Sequence, residues 1–306
     1  MSSKQSLAAG GKSSKQSLNA VGKGEKPNGT FGPKSNADDQ TPEEPSWLKK
    51  CFFGTGTLSA VWKQFLCEFI GLMVFVFIGG LSALKNDLNG IAAAHGFTIT
   101  LLMMAVGHVS GGHLNPSITL GLMLNGSAPV MVAILYWIAQ LTGGMLGAFF
   151  IRAVLTPTQY SNISGGAIYF PASDADEIFR AIFLEIMLTF ALVFVVLLTA
   201  VHRSDSLLAS LATGLAVYVD ILAGGSVSGA SMNPARSFGP LTVYSMVGDT
   251  DNCDSCISKA ALWSKHYVHW IGPLLGGALA SIVFRLIFGN VCEKKQDENT
   301  AIEIES

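Results

Sequence analysis

Long apolar runs separated by short polar connections dominate residues 62–289. Six of these runs approach the roughly 20 residues that an α-helix needs to cross a bilayer. They are predicted as membrane spans at about 62–84, 90–109, 129–153, 178–201, 207–226 and 266–289. Residues 1–61, by contrast, are rich in Ser, Gly, Lys and Pro, a composition typical of disordered segments. We therefore predict an all-α membrane protein with a disordered N-terminal tail.

Two further apolar stretches are too short to cross a bilayer, and each opens with Asn-Pro. The first begins at Asn115-Pro116-Ser117, after the second span, and the other at Asn233-Pro234-Ala235, after the fifth. Asn is favoured as a helix N-cap, and Pro is favoured in the first turn, where its missing N–H is not needed. Both motifs are therefore predicted to begin a short re-entrant helix.

The two halves of the chain repeat one another. Glu68 lies 47 residues before Asn115, and Glu185 lies 48 residues before Asn233. Because each copy contains three spans, the second copy must enter the membrane from the opposite side, as in inverted-repeat transporters. The channel domain is predicted at 62–289, with repeats at about 62–153 and 178–289 and a C-terminal tail at 290–306.

Basic residues indicate the orientation, since loops rich in Lys and Arg stay on the cytoplasmic side. The N-terminal tail, the connection at Arg203 and the C-terminal tail carry the larger share, so both termini are predicted to be cytoplasmic. The sequon at Asn162 then lies outside, where it can be glycosylated, whereas the sequons at Asn28 and Asn125 stay bare. We expect the plasma membrane. A mitochondrial or other intracellular membrane is the alternative, because the first two dozen residues are basic and Ser-rich.

Composition excludes several classes of function. Only 13% of the residues are charged and the net charge is −2, which argues against nucleic acid as a partner. Of the five cysteines only Cys253 and Cys256 are closely spaced, as a local disulfide or as free thiols. Because no second pair or histidine follows at metal-ligand spacing, we expect no metal and no cofactor. No nucleophile and base occur at motif spacing, so an enzyme is not expected.

The centre of the predicted fold has the chemistry of a pore. The N-termini of the two re-entrant helices face one another, and each carries partial positive charge that disfavours cations and protons. The side-chain amides of Asn115 and Asn233 can donate hydrogen bonds to the oxygen of a passing solute. The pattern predicts a passive channel for small neutral solutes.

Asn115-Pro116-Ser117 and the run Asn-Pro-Ala-Arg-Ser-Phe-Gly-Pro at 233–240 resemble the paired signature of the aquaporin (major intrinsic protein) family. The likeness covers about 62–289 and implies that family's fold: six transmembrane helices, two re-entrant half-helices and a homotetramer of water pores. Ser117 is a departure, because most members have Ala at that position.

The resemblance also implies an outer constriction of four residues, placed here by their spacing from the two asparagines: His95, Ile221, Ala230 and Arg236. This set is most similar to the aquaporin-8 group and to some plant tonoplast aquaporins. Ile in place of a ring leaves a roomier opening, and a neutral imidazole can accept a hydrogen bond from ammonia. We therefore expect water with ammonia or hydrogen peroxide, and not glycerol, since Ser237 replaces the Asp of the glycerol-conducting branch.

Glu68 and Glu185 are ionisable residues inside spans, which is costly unless they are hydrogen-bonded. They are predicted as structural acids that accept hydrogen bonds from the re-entrant loops. A proton relay in a coupled small-solute transporter is one alternative. A structural or junctional membrane protein with a vestigial pore is another.

Overall fold

The computed structural model describes residues 58–85, 87–170, 172–248 and 258–289. The helices are α1 Leu58–Ser82, α2 Leu88–Ser110, α3 Pro116–Leu124, α4 Val130–Val154, α5 Pro157–Asn162, α6 Ala175–Val196, α7 Ser206–Gly224, α8 Pro234–Val247, α9 Lys259–Ser264 and α10 Val268–Phe288. Short 3₁₀ turns cover Ala83–Lys85 and Ser164–Gly166, and a π turn extends α6 over Leu197–His202. No strand occurs within these ranges, so the predicted all-α class is confirmed.

Six helices are long and apolar enough to cross a membrane, as the sequence predicts. They cover Val61–Lys85, Leu88–Ser110, Val130–Val154, Ala175–His202, Ser206–Gly224 and Lys259–Phe288. The boundaries differ by a few residues from the predicted ones. Helix α1 begins at Leu58, so residues 58–60, assigned to the polar tail, are helical. The last span extends back through α9, because a turn joins α9 to α10.

The two Asn-Pro motifs begin helices that are too short to span. Helix α3 has 9 residues and α8 has 14. At 1.5 Å per residue these are about 14 Å and about 21 Å long. Both are shorter than the roughly 30 Å of a hydrocarbon core. The predicted pair of half-helices is therefore confirmed.

Packing follows the inverted repeat. Helix α1 packs against α4 as α6 packs against α10, and the equivalent helices α2 and α7 cross one another. Each half-helix packs against the last span of the other repeat, α3 against α10 and α8 against α4. The two repeats are thereby interlocked, and the half-helices are held between them.

The crossing of α2 and α7 depends on two glycines. A Cβ on Gly96 would lie 2.6 Å from the carbonyl oxygen of Gly214, and a Cβ on Gly214 would overlap Thr100. Because neither glycine has a side chain, the two backbones approach closely. This brings residues from the middle of both helices to the centre of the molecule.

Candidate functional site: the cavity between the half-helices

Both asparagines of the motifs cap their helices. The Asn115 Oδ1 accepts from the backbone N–H of Ser117 at 2.8 Å. The Asn233 Oδ1 accepts from the N–H groups of Ala235 at 3.1 Å and Arg236 at 3.2 Å. The Oδ1 atoms of the two side-chain amides therefore point toward the first turn of their helices. Their NH₂ groups remain for contacts outside.

The two re-entrant loops also hold one another through these amides. Asn115 donates from Nδ2 to the carbonyl of Met232, and Asn233 donates from Nδ2 to the carbonyl of Leu114, both at 2.8 Å. Leu114 and Met232 have φ of 48° and 52°, in the left-handed region that is uncommon for residues other than Gly. An NH₂ group has two hydrogens. Each asparagine therefore retains one N–H that the partner loop does not use.

Glu68 fixes the loop before α3. Its carboxylate is fully buried and accepts from the Ser110 hydroxyl at 2.7 Å, the His113 N–H at 2.9 Å and the Leu114 N–H at 2.6 Å. Gln140 on α4 donates a further hydrogen bond at 2.8 Å. A buried carboxylate needs such donors to be tolerated.

Glu185 fixes the loop before α8 in the same manner. It accepts from the Ser228 hydroxyl at 2.7 Å, the Ser231 N–H at 2.8 Å and the Met232 N–H at 2.9 Å. Each acid therefore satisfies backbone donors of the non-helical segment that precedes its own half-helix. Backbone of this kind is tolerated at membrane depth only where it is packed in protein or lines a cavity.

The four predicted constriction residues lie together. His95, Ile221, Ala230 and Arg236 line one cavity of about 20 Å³, which also reaches both motif asparagines. A water molecule needs about 10–15 Å³ of such space, so the cavity has room for about one water molecule. Ile221 and Arg236 also line a larger cavity of about 150 Å³, together with Leu88 at the start of α2 and Gly225 beyond the end of α7.

His95 and Arg236 are hydrogen-bonded to one another, which spacing does not predict. The His95 Nδ1 lies 2.8 Å from the carbonyl oxygen of Ile91, so Nδ1 carries the hydrogen and Nε2 is the acceptor. Arg236 approaches that acceptor with Nε at 3.4 Å and Nη2 at 3.3 Å. The imidazole lone pair that we expected to face ammonia is therefore shared with the guanidinium.

Packing fixes the position of this imidazole. The Phe75 ring meets it edge to face, with the ring centroids 5.3 Å apart. On another side a Cβ on Gly79 would overlap three of its ring atoms. His95 is 1% exposed and thus has little freedom to turn away from Arg236.

The remaining predicted residues lie apart from this cavity or outside the described ranges. Ser117 is fully buried near the start of α3, and its hydroxyl has no partner among the described residues. Asn162 is exposed at the end of α5. Cys253 and Cys256 fall outside the described residues. Within those residues no group of three potential metal ligands occurs.

Several lining residues were not singled out in the sequence. They include Phe75 on α1, Leu192 on α6, and Thr213 and Val217 on α7. A signal for them was present, because Phe75 and Leu192 each lie seven residues after their buried glutamate. Extending the repeat from the motifs to every span would have found them.

Comparison with known proteins agrees with this geometry. The family model for the major intrinsic proteins matches residues 56–284. The chain is 37% identical over 246 residues to Aquaporin-8 of Mus musculus, covering 79% of this chain and 85% of that one. It is 38% identical over 248 residues to Aquaporin TIP2-1 of Arabidopsis thaliana, covering 75% and 87%.

Among solved structures, the aquaglyceroporin from Plasmodium falciparum matches with a TM-score of 0.60. The match covers 76% of this chain and 96% of that one, at 22% sequence identity. At this identity the likeness supports the fold alone.

Six membrane-length helices around a narrow cavity between two half-helix starts define a membrane channel. The chain belongs to the major intrinsic protein (aquaporin) family, and the resemblance to the aquaporin-8 group is confirmed. Membership makes it a passive channel for water or other small neutral solutes and not an enzyme.

Proposed function

We propose that this channel conducts water together with ammonia and hydrogen peroxide, and that it excludes protons and ions. His95, Ile221, Ala230 and Arg236 form its selectivity filter. The observation that supports this proposal is their convergence on one narrow cavity that also reaches both motif asparagines.

The chemistry of the filter favours small solutes that both donate and accept hydrogen bonds. Arg236 is a donor with a fixed positive charge that repels cations. Ile221 adds an apolar wall, and Ala230 leaves room where a larger side chain would close the opening. The His95 Nε2 exchanges its hydrogen bond with Arg236 for one from ammonia as that solute passes.

Exclusion of protons rests on the pore centre, formed by Asn115, Pro116 and Ser117 with Asn233, Pro234 and Ala235. Each asparagine holds one N–H that is not used by the partner loop, so a water accepting both turns its own hydrogens outward along the file. That orientation interrupts proton transfer between successive waters. The positive ends of α3 and α8 add to the barrier for cations.

Glu68 and Glu185 act as structural acids. Their oxygens accept three or four hydrogen bonds each from loop donors and buried side chains, which favours this role over proton relay. The channel thus needs no coupling ion, energy source or cofactor.

The channel assembles as a homotetramer in the plasma membrane with both termini cytoplasmic. Membership in the aquaporin family supports the tetramer, and the distribution of basic residues supports the orientation. Light scattering coupled to size exclusion on the purified protein tests the assembly. A mass of one or two chains, after correction for detergent, contradicts it.

Stopped-flow light scattering on proteoliposomes tests the solute range, with osmotic and ammonia gradients on one preparation and a peroxide-sensitive dye on a second. We expect fast water flux with a low activation energy, and ammonia and peroxide flux above those of empty liposomes. Water flux without the other two would remove ammonia and peroxide from the proposal. Saturable flux driven by a proton gradient would indicate a coupled transporter, and no flux at all a vestigial pore.

A further inference from the structure

The lining of the central cavity follows the inverted repeat residue by residue. Lining residues occur in pairs, at equal distances from Asn115 and from Asn233. The pairs are Ile99 with Val217, Leu114 with Met232, Ile118 with Arg236, and His95 with Thr213. The filter therefore has a counterpart, in which Thr213 takes the place of His95 and Ile118 that of Arg236.

This counterpart lies toward the opposite end of the cavity. Leu88 at the start of α2 contacts Gly225 just beyond the end of α7, whereas Thr100 contacts Gly214, so the two helices run antiparallel. Side chains tilt toward the N-terminus of their own helix, which sends His95 and Thr213 in opposite directions. Thr213 also lies eight residues before the filter residue Ile221. That is about 12 Å along the helix axis.

The Thr213 hydroxyl has no partner among the described residues, although the side chain is fully buried. A helical threonine commonly returns its hydroxyl to the carbonyl four residues earlier. Thr100 on α2 does so, donating to the Gly96 carbonyl at 3.0 Å. Thr213 makes no such bond, although the residue lies in the cavity wall, so a molecule in the cavity can supply the partner that the described residues do not.

The other polar side chains around the cavity are either occupied or only donors. Ser231, the other hydroxyl in the lining, donates to the Asn233 carbonyl at 3.0 Å and accepts from the Asn233 N–H at 3.4 Å. Arg236 and the NH₂ groups of Asn115 and Asn233 can only donate. The acceptor of His95 faces Arg236 at 3.3–3.4 Å. A hydroxyl donates one hydrogen and has two acceptor lone pairs. Thr213 therefore offers an acceptor oxygen to which no described residue donates a hydrogen bond.

We propose that Thr213 forms a second solute-binding site of the pore, at the end opposite the filter. Its hydroxyl oxygen accepts hydrogen bonds from small neutral solutes. It binds a solute after or before the filter, depending on the direction of flux, in a stretch otherwise walled by Ile118, Leu192 and Val217. Ammonia, with three N–H groups and one lone pair, gains the most from an added acceptor. The inference rests on the proposed function in so far as the cavity is the conducting path.

The test compares Thr213→Val, which removes the hydroxyl at nearly constant volume, with Thr213→Ser, which keeps it. The control is Thr189→Val on α6, because Thr189 is also fully buried with an unpartnered hydroxyl but does not line the cavity. Water and ammonia permeabilities are measured in proteoliposomes. They are expressed per channel, with the amount of folded protein determined by size-exclusion chromatography. For Thr213→Val we expect water flux about three-fold lower with a higher activation energy. Ammonia flux should fall about ten-fold, since its passage depends more on acceptors.

Thr213→Ser and Thr189→Val should conduct like the wild type. Unchanged fluxes and activation energy in Thr213→Val would overturn the inference. So would an equal loss in Thr213→Ser, which would indicate packing and not hydrogen bonding. A wild type that conducts water but not ammonia would refute the proposed solute range, and the water measurement would still decide the role of Thr213. A wild type that conducts neither solute would refute both.

Discussion

Within the proposed filter, Arg236 and His95 form a pair, because the acceptor nitrogen of the imidazole lies within 3.4 Å of two guanidinium nitrogens. The Arg236 guanidinium is therefore positioned by the neutral imidazole of His95 and not by a carboxylate. Its charge is retained, and its Nη1 has no partner among the described residues. The position of His95 then decides where the filter donor lies, and Gly79 decides the position of His95.

Replacing Gly79 with Ala should narrow or misalign the filter. The new methyl group would overlap the His95 ring, and overpacking of this kind typically costs about 1–3 kcal/mol. If the ring shifts into the pore, we expect water permeability to fall about ten-fold, the effect of roughly 1.4 kcal/mol on a barrier. Proteoliposome flux per folded channel is the measurement. The matched control is Gly107→Ala on α2, where a Cβ meets nothing within 4 Å. Equal flux in both variants would remove Gly79 from the support of the filter.

Replacing Arg236 with Val should admit cations. The substitution removes the fixed charge of the filter and frees the His95 acceptor, so methylammonium uptake and ionic current should rise by about ten-fold or more. Arg236→Lys is the comparison, because it keeps the charge but loses the planar fork that reaches His95. We expect the Lys variant to exclude cations while its ratio of ammonia to water flux changes. Cation exclusion that persists in the Val variant would contradict the assignment.

The resemblance to the aquaporin family, applied by spacing from the two asparagines, predicted the four residues of the proposed filter. It could not predict that His95 pairs with Arg236. That contact depends on the Ile91 carbonyl, which fixes the imidazole tautomer, and on Phe75 and the absent side chain of Gly79, which fix the ring position. Such contacts between different helices leave no pattern in a single sequence.

At the level of helices and loops, the buried acids explain how non-helical backbone persists inside the protein. The loop before α8 places Ala230 and Met232 in the left-handed region, with φ of 44° and 52°. Two backbone N–H groups of that loop and the Ser228 hydroxyl donate hydrogen bonds to the Glu185 carboxylate. The acid thereby compensates for the helical hydrogen bonds that the loop cannot make.

Replacing Glu185 with Gln should destabilise the protein without creating or removing proton-coupled flux. One carboxylate oxygen becomes an NH₂ group that faces N–H donors, and at least one buried donor is left unsatisfied at a cost of about 1–3 kcal/mol. For a domain of this size we expect a melting temperature lower by roughly 3–10 °C. Asp176→Asn, at an exposed position in the first turn of α6, is the control. A variant as stable as this control, or one that loses only a proton-driven flux, would support the relay alternative.

The elements were largely predictable because each has a local signal. Apolar length predicted the six spans, and Asn-Pro predicted the starts of α3 and α8 to the residue. Helix α5 was not predicted, because it is too short to show apolar periodicity, although Thr156 and Gln159 form a capping box at its start. Helix α9, which has 6 residues, gives no such signal for the same reason.

For the molecule as a whole, the inverted repeat builds a nearly symmetric scaffold around an asymmetric path. The helix caps, the buried acids and the crossing glycines are matched between the halves. His95 and Arg236, by contrast, have Thr213 and Ile118 at the equivalent positions of the other half. The scaffold therefore fixes where a solute travels, and the mismatched pairs decide which groups it meets at each end. The same symmetry constrains orientation, because six spans place both termini on one side and the loop that follows the third span on the other.

A glycan at Asn162 should therefore report the orientation of the entire chain. Asn162 is exposed at the end of α5, beyond the third span, whereas a second sequon begins at Asn125, a buried residue that follows α3. A third begins at Asn28, before the first span. With both termini cytoplasmic, expression in glycosylating cells should give a mobility shift that a glycosidase reverses. Asn162→Gln should abolish that shift, and Ser127→Ala, which removes the sequon at Asn125, should leave it intact.

A terminal tag then checks the same orientation independently, because in sealed, cytoplasmic-side-in vesicles a cytoplasmic tag resists protease until the membrane is opened. A shift kept in Asn162→Gln would place both termini outside, because the sequons at Asn28 and Asn125 would then be the ones on the glycosylated side, and so would a tag cleaved in intact vesicles. That outcome would invert the direction of the channel and place the Arg236 filter on the cytoplasmic side. Thr213 would then become the first site that an entering solute meets.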